Sequence, residues 1–367
     1  MSNSKLDRRS FIKTAGLVTA GGAAATALAT PAISQDMREL KMVTTWPKNL
    51  PGVGTGAQRL ADRITAATEG KVTVKLFAAG ELVPPLESFD AVSSGTADMY
   101  HGAEYYWQGK HKAFNFFTAV PMGMTANELD AWINFGGGQE LWDELSAQFG
   151  VKGLMAGNTG VQMGGWFRNE INSMEDMKGL KIRMPGLGGE VLRQIGAAAV
   201  TLPGGEVYPA FQAGTIDATE WIGPWNDLAF GFYKIAKNYY WPGFHEPGSG
   251  LSCGINKGVW DSFSGAEQEI VAACCAKENN LMYSEYNAQN GAALDTLINK
   301  HGVNLKQFPD EVFKALSVSA EEVVNSVAED DLGRRVLESF QASLGAVSGW
   351  GSIAEQAYLG ARTKATM

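Results

Sequence analysis

From residue 39 onward, apolar and polar positions switch period every ten to fifteen residues. "ELKMVTTWP" (39–47) reads as a strand ending at Trp46-Pro47. "GAQRLADRITAATEG" follows as a helix, with Leu60 and Ile64 on one face and Gly70 as its stop. "KVTVKLF" alternates as a strand, "PPLESFDAVSSG" reads as a helix opened by Pro84-Pro85 and closed by Gly95, and "ADMYHG" is the next strand. A helical pattern over 126–149 is broken by "FGGG" at 135–138. Then come strand "VKGLMAGN", a turn at "EDMKG", strand "LKIRMPG", helix "GEVLRQIG", strand "AAVTLP", helix "GEVYPAFQAG" and strand "IDATEW". "GLSCGINK" reads as a later strand, a long helix begins near Gly265, and the chain from Pro309 is helical. Such alternation predicts mostly parallel sheets flanked by helices. The length of 367 residues suffices for two cores.

The two-core reading gains support from an internal match. "ESFDAVSSGTADMYH" (87–101) aligns without a gap on "EVYPAFQAGTIDATE" (206–220). Glu87 meets Glu206, Gly95-Thr96 meets Gly214-Thr215, and Asp98 meets Asp217. Each copy is a helix, a Gly-Thr stop and a strand beginning near the aspartate. The alignment sets Glu220 opposite His101 at the carboxyl end of a strand. In open α/β sheets ligands bind beyond those ends, so two such units facing each other predict a cleft between them.

Composition narrows the function. The chain is 45% hydrophobic and 19% charged, with net charge −9. The first 34 residues carry +3, so the remainder stands at −12. That acidity argues against a nucleic-acid partner and leaves room for a small anion held by local positive charge. Arg8-Arg9, Phe11, Ile12 and Lys13 precede a small-residue run, and Ala32-Ile33-Ser34 fits a cleavage site. Residues 1–34 therefore resemble a twin-arginine export signal, and the expected location is the periplasm. Cys253, Cys274 and Cys275 show no metal-binding spacing. The adjacent pair reads as core filling inside a helix, and a bridge from Cys253 stays open.

No GxSxG, HExxH or Gly-Lys-Ser/Thr phosphate loop is present. "GLGGEVLRQIG" fails the dinucleotide fingerprint because position 191 is valine. Arg183 is the best anion-binding candidate, a guanidinium closing an apolar strand before a Met-Pro-Gly break. The same pattern also suits an outward edge-strand arginine. Gln162 beside Gly164-Gly165, and Glu246 in "FHEPG", offer hard oxygen donors. Tyr100, Tyr105, Tyr106, Trp221, Trp225 and Trp241 could wall a pocket or build a core, and His101 and His245 fall where a cleft would open.

"INSMEDMKGLKIRMPG", "LPGGEVYPAFQAGTIDATEWIGPWND" and "SSGTADMYHGAEYYWQGK" resemble the solute-binding subunits of TRAP (tripartite ATP-independent periplasmic) transporters, the DctP family. The "EW" at 220–221, with "YYWPGFHEPG" beyond, is similar to the TakP-like branch that binds 2-oxo acids with a cation. The resemblance covers essentially all of the chain after the signal. It implies a two-domain periplasmic binding protein-like fold, a ligand cleft and an extended C-terminal helix. It implies a ligand carboxylate on Arg183, and Gln162, Glu220 and Trp221 around the ion, the tryptophan through its carbonyl. Tyr100, His101 and Glu246 are further expected contacts. The sialic acid branch has a second ligand arginine upstream of the Arg183 position; here that place falls near Met163.

The expected organisation is a signal at 1–34, domain I from 38–158 and 246–300, domain II from 159–245, and a C-terminal helical region at 301–367. The expected function is binding, not catalysis. A pyruvate-like 2-oxo monocarboxylate, with sodium or alternatively calcium, is delivered to transporter membrane subunits. A homodimer through the C-terminal helix is implied. Lactate or another small carboxylate bound as a calcium complex, and an exported enzyme, are the alternatives.

Overall fold

The computed structural model describes residues 37–365. The export signal expected at 1–34 lies outside the described residues. The chain begins with β1 (Arg38–Thr44), α1 (Val53–Ala67), β2 (Val72–Phe77), α2 (Ser88–Ser93) and β3 (Met99–Gly102). It continues through α3 (Ala126–Phe135), α4 (Gly138–Ala147) and β4 (Val151–Asn158). It then crosses to a second sheet with β5 (Gly165–Phe167), β6 (Lys181–Arg183), α5 (Gly186–Gln194), β7 (Ala198–Val200), α6 (Gly204–Ala213), β8 (Ala218–Thr219), α7 (Pro224–Phe230) and β9 (Asn238–Trp241). It returns with β10 (Gly250–Asn256), α8 (Lys257–Ser262) and α9 (Gly265–Asn299), and crosses once more to β11 (Asn304–Gln307). The last elements are α10 (Asp310–Asn325), α11 (Asp331–Gly351), a π-helical turn at Ser352–Gln356, and α12 (Ala357–Ala365).

The first sheet has the order β2-β1-β3-β10-β4, and the second β11-β9-β5-β8-β6-β7. Each is mostly parallel with one antiparallel strand: β10 runs against β3 and β4, and β5 runs against β8 and β9. Both exceptions are the strands by which the chain enters a sheet after crossing. The two connections lie side by side. Thr159 N donates to Ser249 O (3.0 Å), Gln162 N to Glu246 O (3.1 Å) and Gly243 N to Gln162 O (2.9 Å).

The internal match survives as shared hydrogen bonding. In the first sheet Lys41 N donates to the Asp98 carboxylate (2.7 Å) and Asp98 N returns a bond to Lys41 O (3.0 Å). In the second, Lys181 N donates to Asp217 (3.4 Å) and Asp217 N to Lys181 O (2.7 Å). Each clip sets one parallel pair, β1 with β3 and β6 with β8. "IDATEW", read as a six-residue strand, pairs only at Ala218–Thr219, because the chain turns out of the sheet at Glu220.

Helix α9 opens with a capping box in which Ser264 and Glu267 satisfy each other's backbone amides. It packs on α1 and β4 beside the first sheet and on α7 beside the second. Cys253, Cys274 and Cys275 are free and buried in the core between β10 and α9. The region from 301 onward is not wholly helical, since β11 joins the second sheet beside β9. Leu332, Val336, Leu337 and Phe340 of α11 are buried, with Phe340 against Phe116 and Trp132. Farther along, Trp350, Ile353 and Tyr358 are exposed. Among the described residues no helix is long and apolar enough to cross a membrane.

Candidate functional site

Strand β6 ends at Arg183, and the register of β6 on β8 places that residue beside Thr219, one position before Glu220. Arg183 is 1% exposed and Glu220 0%. The guanidinium Nη1 donates to Glu220 Oε1 and to the Glu220 carbonyl (3.2 Å). Its Nε donates to Leu202 O (3.2 Å) and its Nη2 to the Tyr106 hydroxyl (3.3 Å). Burial is the largest single influence and opposes the arginine's charge, but Glu220, Tyr106, Tyr105 and Glu246 together outweigh it and raise the pKa. The expectation of an outward edge-strand arginine is thereby excluded.

The connection between β9 and β10 brings in two more groups. His245 Nε2 meets Glu220 Oε2 at 3.2 Å. Glu246 Oε2 accepts from Gln162 Nε2 (2.7 Å), which also donates to Thr159 Oγ1 (3.0 Å). Burial, and then the Glu220 charge, push the Glu246 carboxyl up to about 7. Glu220, His245 and Glu246 each present a ligand atom, all within 4.8 Å of one another. Gln162 Oε1 and His245 Nδ1 are buried with no hydrogen-bond partner. A buried carboxamide oxygen left without a donor, next to two carboxylates, suits a hard cation. The imidazole adds a nitrogen that the sequence reading did not place in the donor set.

Trp46, Tyr105, Tyr106, Thr159, Gln162, Arg183, Trp221, Ile222, Ser249 and Leu251 enclose a cavity beside these groups. Its volume open to a water centre is about 10 Å³, room for about one water. The Trp221 ring lies 5.0 Å from the Arg183 guanidinium and meets Trp46 edge-on at 6.3 Å. Gly204 makes that placement possible, because a Cβ there would come within 2.6 Å of the Trp221 ring.

Gln162, Arg183, Glu220, Trp221 and Glu246 are thus brought together. Tyr100 and His101 are not. Tyr100 faces away, donating to Glu104 (2.6 Å) and packing on Phe89 and Trp107. Both nitrogens of His101 are engaged: Nδ1 accepts from the Trp46 indole (2.8 Å), and Nε2 meets the Ala156 carbonyl (3.2 Å). Burial pushes its pKa down to about 4. Its part at the cavity is to hold Trp46. Trp225 packs on Tyr286 and Trp241 is 38% exposed, both away from the cavity lining. The sequence reading missed Trp46, although it stands at the end of β1 as Trp221 stands after β8.

Comparison with known proteins shows the family. Residues 42–331 match the bacterial extracellular solute-binding proteins of family 7 (DctP). A monocarboxylate 2-oxoacid-binding periplasmic protein of Nostoc sp. is 38% identical over 96% of this chain and 98% of its own length. A TRAP periplasmic solute-binding protein of Pseudoalteromonas atlantica, solved with sodium and pyruvate, superposes with a TM-score of 0.85 at 39% identity, over 88% of this chain and 98% of that one. A TRAP solute-binding protein of Bordetella bronchiseptica, a mixed-occupancy dimer with calcium and picolinate, gives a TM-score of 0.87 at 35% identity, over 89% of this chain and 98% of that one.

Proposed function

The chain belongs to the DctP family of TRAP solute-binding proteins, and on that premise we propose that it captures a pyruvate-like 2-oxo monocarboxylate together with a sodium or calcium ion in the periplasm. The carrying observation is that Arg183 and Glu220 face each other in one small cavity, beside a Gln162 oxygen with no donor. Arg183 would take the ligand carboxylate in a fork geometry. The ligand would then lie within reach of the Glu220 charge. Two unit charges of like sign about 4–5 Å apart repel by roughly 3–4 kcal/mol at an effective dielectric near 20. Glu220, Gln162 Oε1, Glu246 and the Trp221 carbonyl would hold the cation, whose charge offsets that repulsion. Trp46, Tyr105, Tyr106 and Trp221 line the cavity and would meet the ligand's side chain.

The working division is domain I from 38–158 and 246–300 and domain II from 159–245. The protein binds and does not turn its ligand over, passing it to the transporter's membrane subunits. The exposed Trp350, Ile353 and Tyr358 support a homodimer in which the C-terminal helix reaches a second copy. The second carboxylate, Glu246, supports calcium as the alternative ion and keeps lactate as a calcium complex among the ligands to test.

Titration calorimetry with pyruvate, before and after removal of sodium and calcium, tests the proposal. Binding that needs the cation is expected, with lactate weaker. Undiminished affinity in cation-free buffer overturns the ion's part, and no binding of any small oxo or hydroxy acid overturns the ligand class.

A further inference from the structure

Asn226 sits near the start of α7 and is fully buried, away from the cavity lining. Its amide joins three elements. Oδ1 accepts from the Trp221 indole (3.2 Å) and from the Tyr286 hydroxyl of α9 (3.1 Å). Nδ2 donates to Pro51 O (3.0 Å) in the loop between β1 and α1. On the division above, the Pro51 bond and the Tyr286 bond both run between domain II and domain I. Both lone-pair directions of the oxygen are taken, so the amide cannot rotate without losing partners. The Pro51 loop is shaped to meet it: Gly52 has φ +72, and a Cβ there would come within 2.5 Å of the Tyr286 hydroxyl. Trp221 meanwhile is a cavity wall, stacked under Arg183 and set against Trp46.

We infer that Asn226 is a positioning residue that latches the two halves together and ties the latch to the cavity through Trp221. A ligand that fixes the Trp221 ring fixes the Asn226 acceptor, and with it the donor facing Pro51. Separation of the halves breaks the Pro51 and Tyr286 bonds and parts Trp46 from the Trp221 ring at the same time. The inference rests on the reading of this cavity as the ligand site.

Asn226→Asp keeps an acceptor for Trp221 and Tyr286 but turns an oxygen toward the Pro51 carbonyl. Asn226→Ala removes all three bonds and serves should the aspartate variant fail to fold. Tyr286→Phe removes only the α9 bond. Spin labels on exposed Glu69 and Glu175, changed to cysteine, report the distance between the halves by pulsed electron resonance, without ligand and with pyruvate plus sodium. Stopped-flow tryptophan fluorescence gives the pyruvate rates. Asn226→Asp is expected to lengthen the distance in both conditions and to raise the pyruvate off-rate about tenfold, with the on-rate held within about threefold. Asn226→Ala should follow it, and Tyr286→Phe should show a smaller change. Unchanged distances in both Asn226 variants overturn the latch, whether or not pyruvate binds. Failure of the native protein to bind pyruvate counts against the ligand reading and leaves the distance measurement decisive for the latch.

Discussion

At the end of β3, His101 turns one nitrogen to the Trp46 indole and the other to a backbone carbonyl. At the matched end of β8, Glu220 turns its oxygens to Arg183 and His245. Both residues are 0% exposed, and both strands hang on the same lysine–aspartate backbone clip. One step back in register, Val43 lies beside Tyr100 in the first sheet, whereas Arg183 lies beside Thr219 in the second. Burial without a counter-charge drives His101 to its neutral form. At Glu220 the buried carboxylate instead meets a counter-charge directly, in its contact with Arg183. At these matched strand ends the repeated framework therefore carries a histidine that holds Trp46 in one half and the Arg183–Glu220 pair in the other.

The sharpest way to break this comparison is Arg183→Ala against Val43→Ala. The first strands Glu220 in a buried setting and should cost on the order of 3–5 kcal/mol. Calorimetry should find pyruvate binding lost, and a thermal melt should fall well below native. Val43→Ala should leave affinity within a few fold; an equal loss would mean the first half carries binding charge by some other route.

Away from the cavity, Asp227 and Glu104 are buried with no cation in contact among the described residues. Burial raises Asp227 from 3.8 to about 7, despite donors from Tyr239 and Trp166, and raises Glu104 from 4.5 to about 7. A carboxyl held protonated in the folded state binds more protons than in the unfolded chain. Stability should therefore be full below about pH 4 and decline as pH rises towards 7. Each group is worth up to roughly 1.4 kcal/mol per pH unit in that window. Asp227→Asn and Glu104→Gln should each flatten urea midpoints compared between pH 4.5 and 7.5. A slope unaltered in both would show that these acids relax to water in the fold.

Smaller again is the effect on cation dependence. Glu220→Gln should make pyruvate affinity insensitive to sodium and calcium, a change of about a hundredfold in the response. His101→Gln should keep the dependence while loosening Trp46, at a cost of about tenfold or less. The least effect belongs to the clips. Asp98→Ala and Asp217→Ala should each lose about 1 kcal/mol in denaturant unfolding, equal to one another and without effect on the ligand.

Much of the fold was legible. β1, β2, β3, β4 and β10 span four to eight residues between turn signals, β2 with alternation, and helices such as α1 and α10 carry a clear apolar period. β5, β9 and β11 span three or four residues, too few for alternation to register, and β5 is buried on both faces. At the site, Gln162, Arg183, Glu220 and Glu246 stood out because a hard donor or a charge in an apolar stretch demands an explanation. Tyr100 and His101 misled because a strand end presents two faces and sequence alone does not say which one opens on the cavity. His245 was read as near the cleft but not as a donor, and Asn226 left no signal, since its meaning lies in Pro51 and Tyr286, far along the chain.

The direct contact between Arg183 and Glu220 has a consequence for discrimination. The guanidinium already owns a rival carboxylate, tethered in place at an effective concentration in the millimolar range or above. Chloride, acetate or a stray acidic side chain must evict that rival and leave it stranded in a dry wall. On the proposed function, simple anions would thereby be screened out without any steric filter. On that same reading, a solute would gain entry by bringing a cation to console the evicted acid, so that the pair would read two chemical species at once and ignore either alone.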